Sequence, residues 1–239
     1  MIIKNVDTKG KRYADITHLF GERLVTINGH MAVDLHAANK QKHEGRGRAK
    51  CVTFHWLATD WDCAYDDYDY VIVFCSKTRK VYVLKCVKSG DKPQHCWGRN
   101  SNTIAIGLAG MHGASGPNAL GRYAIQDEQL WIAAQLAGEI CAMKGIDPHQ
   151  LVEMPELKCN RAQTVISPTG KTIMVPAIND HALFAKHDGY GNARWDCTPY
   201  IAKLRKDATR VYDELKGASK GVKKLGTDDA RSFEFAEIL

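Results

Sequence analysis

Between residues 50 and 108 the apolar side chains come in short runs, alternating or continuous, the pattern of strands buried on one or both faces. Cys51-Val-Thr-Phe54 is the first of them. Tyr68-Asp-Tyr-Val-Ile-Val-Phe74 and Lys80-Val-Tyr-Val-Leu84 flank the polar segment Ser76-Lys-Thr-Arg79 and predict a β-hairpin, and Thr103-Ile-Ala-Ile-Gly-Leu108 predicts a further strand. The period then changes. From Asp127 to Lys144 the apolar positions Leu130, Trp131, Ala134, Leu136, Ala137, Ile140 and Cys141 recur at helical spacing, with Gly145 and Pro148 marking the stop. A second stripe, Ile201, Leu204, Ala208, Val211, Tyr212 and Leu215, predicts another helix. Between the two, Ser167-Pro-Thr-Gly170 sits among β-prone residues and predicts a hairpin insertion near 157–180, after which Ala182-Leu-Phe-Ala185 leads into His187.

The ends read differently from this middle. Residues 1–49 mix short apolar patches with a basic, glycine-containing run ending His43-Glu-Gly-Arg-Gly-Arg-Ala-Lys50, an N-terminal extension packed on or leading into the core. Residues 216–239 begin rich in Lys, Gly and Asp and read as a loosely held tail. That leaves 50–215 as one main domain. A chain of 239 residues with 44% hydrophobic content is enough for one sizeable core. The N-terminus lacks a signal-peptide pattern and no run approaches the roughly 18 apolar residues of a membrane span, so the expectation is cytoplasmic synthesis without a leader. The eight cysteines contain no CxxC pair and are expected to be reduced core residues. A net charge of +6 favours anionic partners such as nucleic acid, anionic lipid or wall polymers without choosing among them. Because no stripe of interleaved basic and aromatic residues is present, nucleic acid is not expected as a partner.

Three segments carry candidate chemistry. His55 closes the first strand in Phe54-His55-Trp56-Leu57-Ala58-Thr59; His95 lies in the polar loop Lys92-Pro-Gln-His-Cys-Trp-Gly-Arg-Asn-Ser-Asn102; His187 opens a two-glycine loop that runs to Asp196-Cys197-Thr198-Pro199-Tyr200. Histidine nitrogen with thiolate or carboxylate suits a zinc ion that has three protein ligands and an open fourth position. His55 alone reads more simply as a partly buried strand side chain. The order of the three segments along the chain is what gives them weight.

Together the three segments resemble the type-2 family of zinc N-acetylmuramoyl-L-alanine amidases, which shares its fold with peptidoglycan recognition proteins and includes the phage lysozyme-type endolysins. The resemblance covers roughly residues 50–215. It implies an α/β fold with a mixed central sheet flanked by helices, and a Zn2+ cofactor held by His55, His187 and Cys197. Asp196 competes with Cys197 as third ligand, since adjacent side chains point in different directions. His95 is implied to contact substrate. Asn102 is placed either beside it or as a brace for the following strand. A tyrosine beside the zinc-bound water is implied as hydrogen-bond donor, and Tyr68 and Tyr70 both qualify because alternate residues of a strand share a face. The family's catalytic lysine falls on Trp195 or Arg194, depending on the third ligand, and Arg194 could stabilise an oxyanion from either register. The family's strand glutamate has no counterpart near Gly107. The function implied is hydrolysis of the bond between N-acetylmuramic acid and L-alanine in peptidoglycan by a monomeric endolysin acting on the wall after release. The alternative is a non-catalytic peptidoglycan-binding protein on the same fold.

Overall fold

The computed structural model describes residues 3–6, 11–12, 25–27, 30–37, 48–64, 67–76, 79–86, 92–159, 166–189 and 195–221. Among the described strands β5 (Cys51–Trp56) lies one in from an edge of the sheet, and its alternation sorts side chains to two faces. Parallel to it on one side lies β9 (Thr103–Leu108), with His55 opposite Gly107 and Phe54 opposite Ile106. On the other side the short β12 (Ile178–Asp180) is also parallel, pairing Asp180 with Phe54. The predicted hairpin is present as β7 (Tyr70–Cys75) and β8 (Lys80–Lys85), antiparallel to each other, with β7 parallel to β9.

The N-terminal segment adds strands to this sheet. There β4 (His30–Ala37) runs parallel to β8, β1 (Ile3–Val6) parallel to β4, and β3 (Val25–Ile27) antiparallel to β4. The order across the sheet is β1-β4-β8-β7-β9-β5-β12, so it is mixed. A separate small pair joins β2 (Lys11–Arg12) to β6 (Cys63–Ala64). Most of the tail lies outside the described residues.

One face of the sheet is covered by two helices. Helix α1 (Asp127–Lys144) starts with a reciprocal capping box between Gln126 and Gln129 and stops at Gly145 in the left-handed conformation. Its Leu130, Ala133, Ala134, Ala137 and Ile140 pack with Val52, Phe54, Ile72, Ile104 and Ile106 of the strands in the largest apolar cluster. Helix α3 (Ile201–Gly221) completes that layer with Leu204 and Ala208. Gly138 explains how close the two helices come: a Cβ there would sit 2.6 Å from the Ala208 carbonyl oxygen and 2.7 Å from the Val211 Cβ.

The opposite face carries the candidate site. It is covered partly by α2 (His181–Asp188) and by an antiparallel hairpin, β10 (Leu151–Cys159) with β11 (Ile166–Pro176). The expected insertion is therefore a hairpin, but Ser167-Pro-Thr-Gly170 is not its turn. Those residues lie within β11, where pairing jumps from Pro155↔Thr172 to Leu157↔Pro168. The extra residues bulge out, Gly170 takes a positive φ of 79°, and Thr169 bonds Glu156 across the gap at 2.6 Å. Turn-forming residues were accommodated as a bulge because the ladder resumes on both sides of them.

Candidate metal centre

His55 is the last inward-facing residue of β5 on the candidate-site face, and it is almost wholly buried. Directly after β12 ends, His181 opens α2, where the Asp180 side chain caps the helix by accepting the Leu183 N–H at 3.0 Å. Asp196 arrives from the turn before α3. Its Oδ2 lies 3.2 Å from His55 Nδ1 and 3.1 Å from His181 Nδ1, while its Oδ1 accepts the Trp56 backbone N–H at 2.5 Å. Among the described residues, His55, His181 and Asp196 form a group whose ligand atoms all lie within 4.8 Å of one another.

The three groups set one another's charge. Burial holds His55 below its usual pKa, outweighing its bond to Asp196, so the ring is neutral and has a lone pair to offer. Burial also opposes charge on His181, but the hydrogen bond to Asp196 and the neighbouring Cys96 overrule it and lift its pKa to about 10. Asp196 would be pushed up by burial; the two imidazoles reverse that and hold it ionised. An anionic oxygen against two imidazole nitrogens is a donor set that zinc accepts. His181 is the least buried of the three, with its side chain 16% exposed, which leaves a way in from solvent.

The sequence-derived ligands meet here only in part. His55 is at the centre. His187 is not in the group: it lies six residues past His181 on the last turn of α2, about 9 Å along the axis and about 240° around it. Its Nδ1 sits 3.4 Å from Asp188 Oδ1 instead. The structure departs from the expectation because Ala182-Leu-Phe-Ala185 is helical, and the histidine directly after the strand is His181. The Asp180 cap before His181 was the legible signal for that helix start.

Cys197 points the other way from Asp196. It has a positive φ of 61°, is wholly buried, and belongs to the apolar cluster with Val52, Phe54, Ile178 and Leu204. Burial pushes its thiol well above the ordinary range.

The two tyrosines separate as well. The strand β7 begins only at Tyr70, whose partner Ile106 shares a row with Phe54, so Tyr70 faces the helix layer. Tyr68 precedes the strand, and its ring packs against His55 with centroids 5.0 Å apart. Asp69 between them ties its carboxylate to the Ala105 N–H at 2.7 Å, which breaks the alternation that would have put both rings on one face. Gly107 makes room: a Cβ there would meet Leu57 at 2.6 Å and Tyr68 at 3.0 Å. The place of a strand side chain is thus taken by the Tyr68 ring.

His95 is buried, not spread on a cleft surface. Its Nδ1 lies 2.9 Å from His55 Nε2 and its Nε2 lies 2.8 Å from Thr103 Oγ1. Asn102 braces the same loop through its backbone, donating to the Arg99 carbonyl and accepting from the Lys50 N–H. The loop is anchored by Arg99, a buried guanidinium paired with Asp188, bonded to the Pro155 carbonyl at 2.9 Å and stacked 4.3 Å over Phe184. Arg194 lies outside the described residues.

No protein-family model matches the sequence, and no curated protein matches it. Solved structures similar to this chain include the Staphylococcus aureus hydrolase AmiA in complex with its ligand, at 12% identity and TM-score 0.48, covering 89% of this chain and 98% of that one. A variant of PlyL is similar at 8% identity and TM-score 0.43, covering 73% and 96%. The endolysin of Thermus scotoductus bacteriophage Ph2119 is similar at 18% identity and TM-score 0.27, covering 37% and 70%. At such identities the side chains, and not the outline, decide what chemistry is possible.

Proposed function

We propose that the chain is a zinc-dependent N-acetylmuramoyl-L-alanine amidase of the type-2 family, cutting peptidoglycan as a phage or prophage endolysin. One observation supports this above the others: His55, His181 and Asp196, from three separate stretches of the chain, bring their ligand atoms within 4.8 Å of one another at the ends of β5 and β12. The order of those stretches is the order the family resemblance requires. The positive net charge suits an anionic wall polymer.

His55 and His181 would hold the ion through Nδ1 and Asp196 through Oδ2, the Trp56 N–H fixing the rotation of the carboxylate. Zinc bound there would supply Lewis acidity and a water acidified toward neutrality. Tyr68, whose ring packs at a tilt against His55, is assigned the role of donor to the charge that develops on the scissile carbonyl. Arg194, two residues before Asp196, is assigned the oxyanion role that a lysine fills elsewhere in the family.

The test is zinc content and wall-lytic activity of purified variants. His181→Ala and Asp196→Ala are expected to lose both, while His187→Ala and Cys197→Ala retain zinc. Retention of stoichiometric zinc by Asp196→Ala would overturn the ligand set. Full zinc occupancy with no lysis in the wild type would make the chain a peptidoglycan-binding protein.

A further inference from the structure

A line of hydrogen bonds leads away from the proposed metal site, and its direction can be read from its far end. The Arg99 carbonyl oxygen can only accept. It takes the Asn102 N–H at 2.9 Å and, on its other lone pair, the Thr103 hydroxyl at 2.9 Å. With its proton committed there, Thr103 Oγ1 is an acceptor for His95 Nε2–H at 2.8 Å. His95 then presents an unprotonated Nδ1, which accepts Nε2–H of His55 at 2.9 Å. The remaining nitrogen of His55, Nδ1, is left with a lone pair on the side of Asp196.

The acceptor at the end of the line is rigidly held. Arg99 is wholly buried, with its guanidinium on Asp188 and the Pro155 carbonyl, so its backbone has little freedom to turn the carbonyl away. Thr103 is wholly buried too, so water does not offer the hydroxyl an easy substitute partner.

We infer that His95 and Thr103 are positioning residues that commit His55 to the Nε2–H tautomer, so that its Nδ1 is the atom offered to the metal. This rests on the zinc reading above and gives His95 a role other than substrate contact. The opposite polarity, with Nδ1–H on both histidines, puts a proton where the ion must bind and leaves one lone pair of the Arg99 carbonyl unused. A ligand histidine whose far nitrogen is fixed in this way binds more tightly, by about 10–100-fold in metal sites generally.

The experiment is zinc affinity by chelator competition on the full chain, with thermal stability measured alongside. Thr103→Val, which keeps the shape and removes the acceptor, is expected to weaken zinc binding about tenfold or more; Thr103→Ser is expected to restore it. His95→Leu is expected to weaken binding as much, and His95→Asn, whose amide oxygen can still accept from His55, less. Nitrogen-15 NMR of the zinc-loaded protein is expected to find His95 protonated on Nε2 and bare on Nδ1. Wild-type affinity in Thr103→Val and His95→Leu, or a His95 protonated on Nδ1, would overturn the inference while leaving the zinc reading intact. A wild-type chain that binds no zinc would overturn the zinc reading itself.

Discussion

The two faces of β5 differ in what they bury, though they belong to the same six residues. Val52 and Phe54 enter an apolar cluster closed by α1 and α3, where shape and volume set the energy. Cys51, Thr53 and His55 enter a face where buried polar atoms are paired: Thr53 with Asn179 at 2.9 Å, and His55 with Asp196 and His95. A buried strand thus has apolar packing on one side and the proposed metal site on the other. Changes to the two sides should separate cleanly in experiment.

The largest expected effect is on the apolar side. Phe54→Ala should cost about 3–5 kcal/mol of stability through lost burial and the cavity left behind, while the folded fraction keeps its zinc affinity. Denaturant unfolding with metal titration checks both halves; a loss of zinc affinity in folded protein would show that the faces are coupled. Next comes the pair of tyrosines. Tyr68→Phe, beside His55, should lower lysis about a hundredfold at unchanged zinc content, and Tyr70→Phe, on the helix face, by less than twofold. Equal losses from both would return the donor assignment to an open choice.

The smallest effect lies away from both faces, where His149 Nε2 meets Asp213 of α3 at 2.8 Å. The bond to Asp213 raises the pKa of His149 above its ordinary 6.5. A raised histidine stabilises the fold fully below that ordinary value and loses its contribution as pH climbs through the raised one. Since both side chains are more than half exposed, the contribution is screened to under about 1 kcal/mol. His149→Gln should flatten that shallow fall in melting temperature above pH 6.5; a fall that survives the substitution assigns it elsewhere.

The same contrast explains what could be read from the chain. The strands Cys51–Trp56 and Thr103–Leu108 and the helix Asp127–Lys144 follow from apolar periodicity, because the core face depends on little else. His55 was legible as a residue closing such a strand. His181 was legible only through Asp180 as a helix cap, because Ala182 to Ala185 is too short an apolar stretch to distinguish helix from strand by period. Whether Asp196 or Cys197 faces the site depends on one left-handed backbone conformation at Cys197, which no pattern of residue types specifies. The His95 to Thr103 contact depends on how a loop folds back under a strand, and sequence spacing is silent on that.

The ligand set is tested most directly by X-ray absorption at the zinc edge on the loaded protein. Two imidazoles and a carboxylate predict only nitrogen and oxygen neighbours, at about 2.0–2.2 Å. A sulfur neighbour at about 2.3 Å would put a cysteine on the metal and contradict the assignment of Asp196.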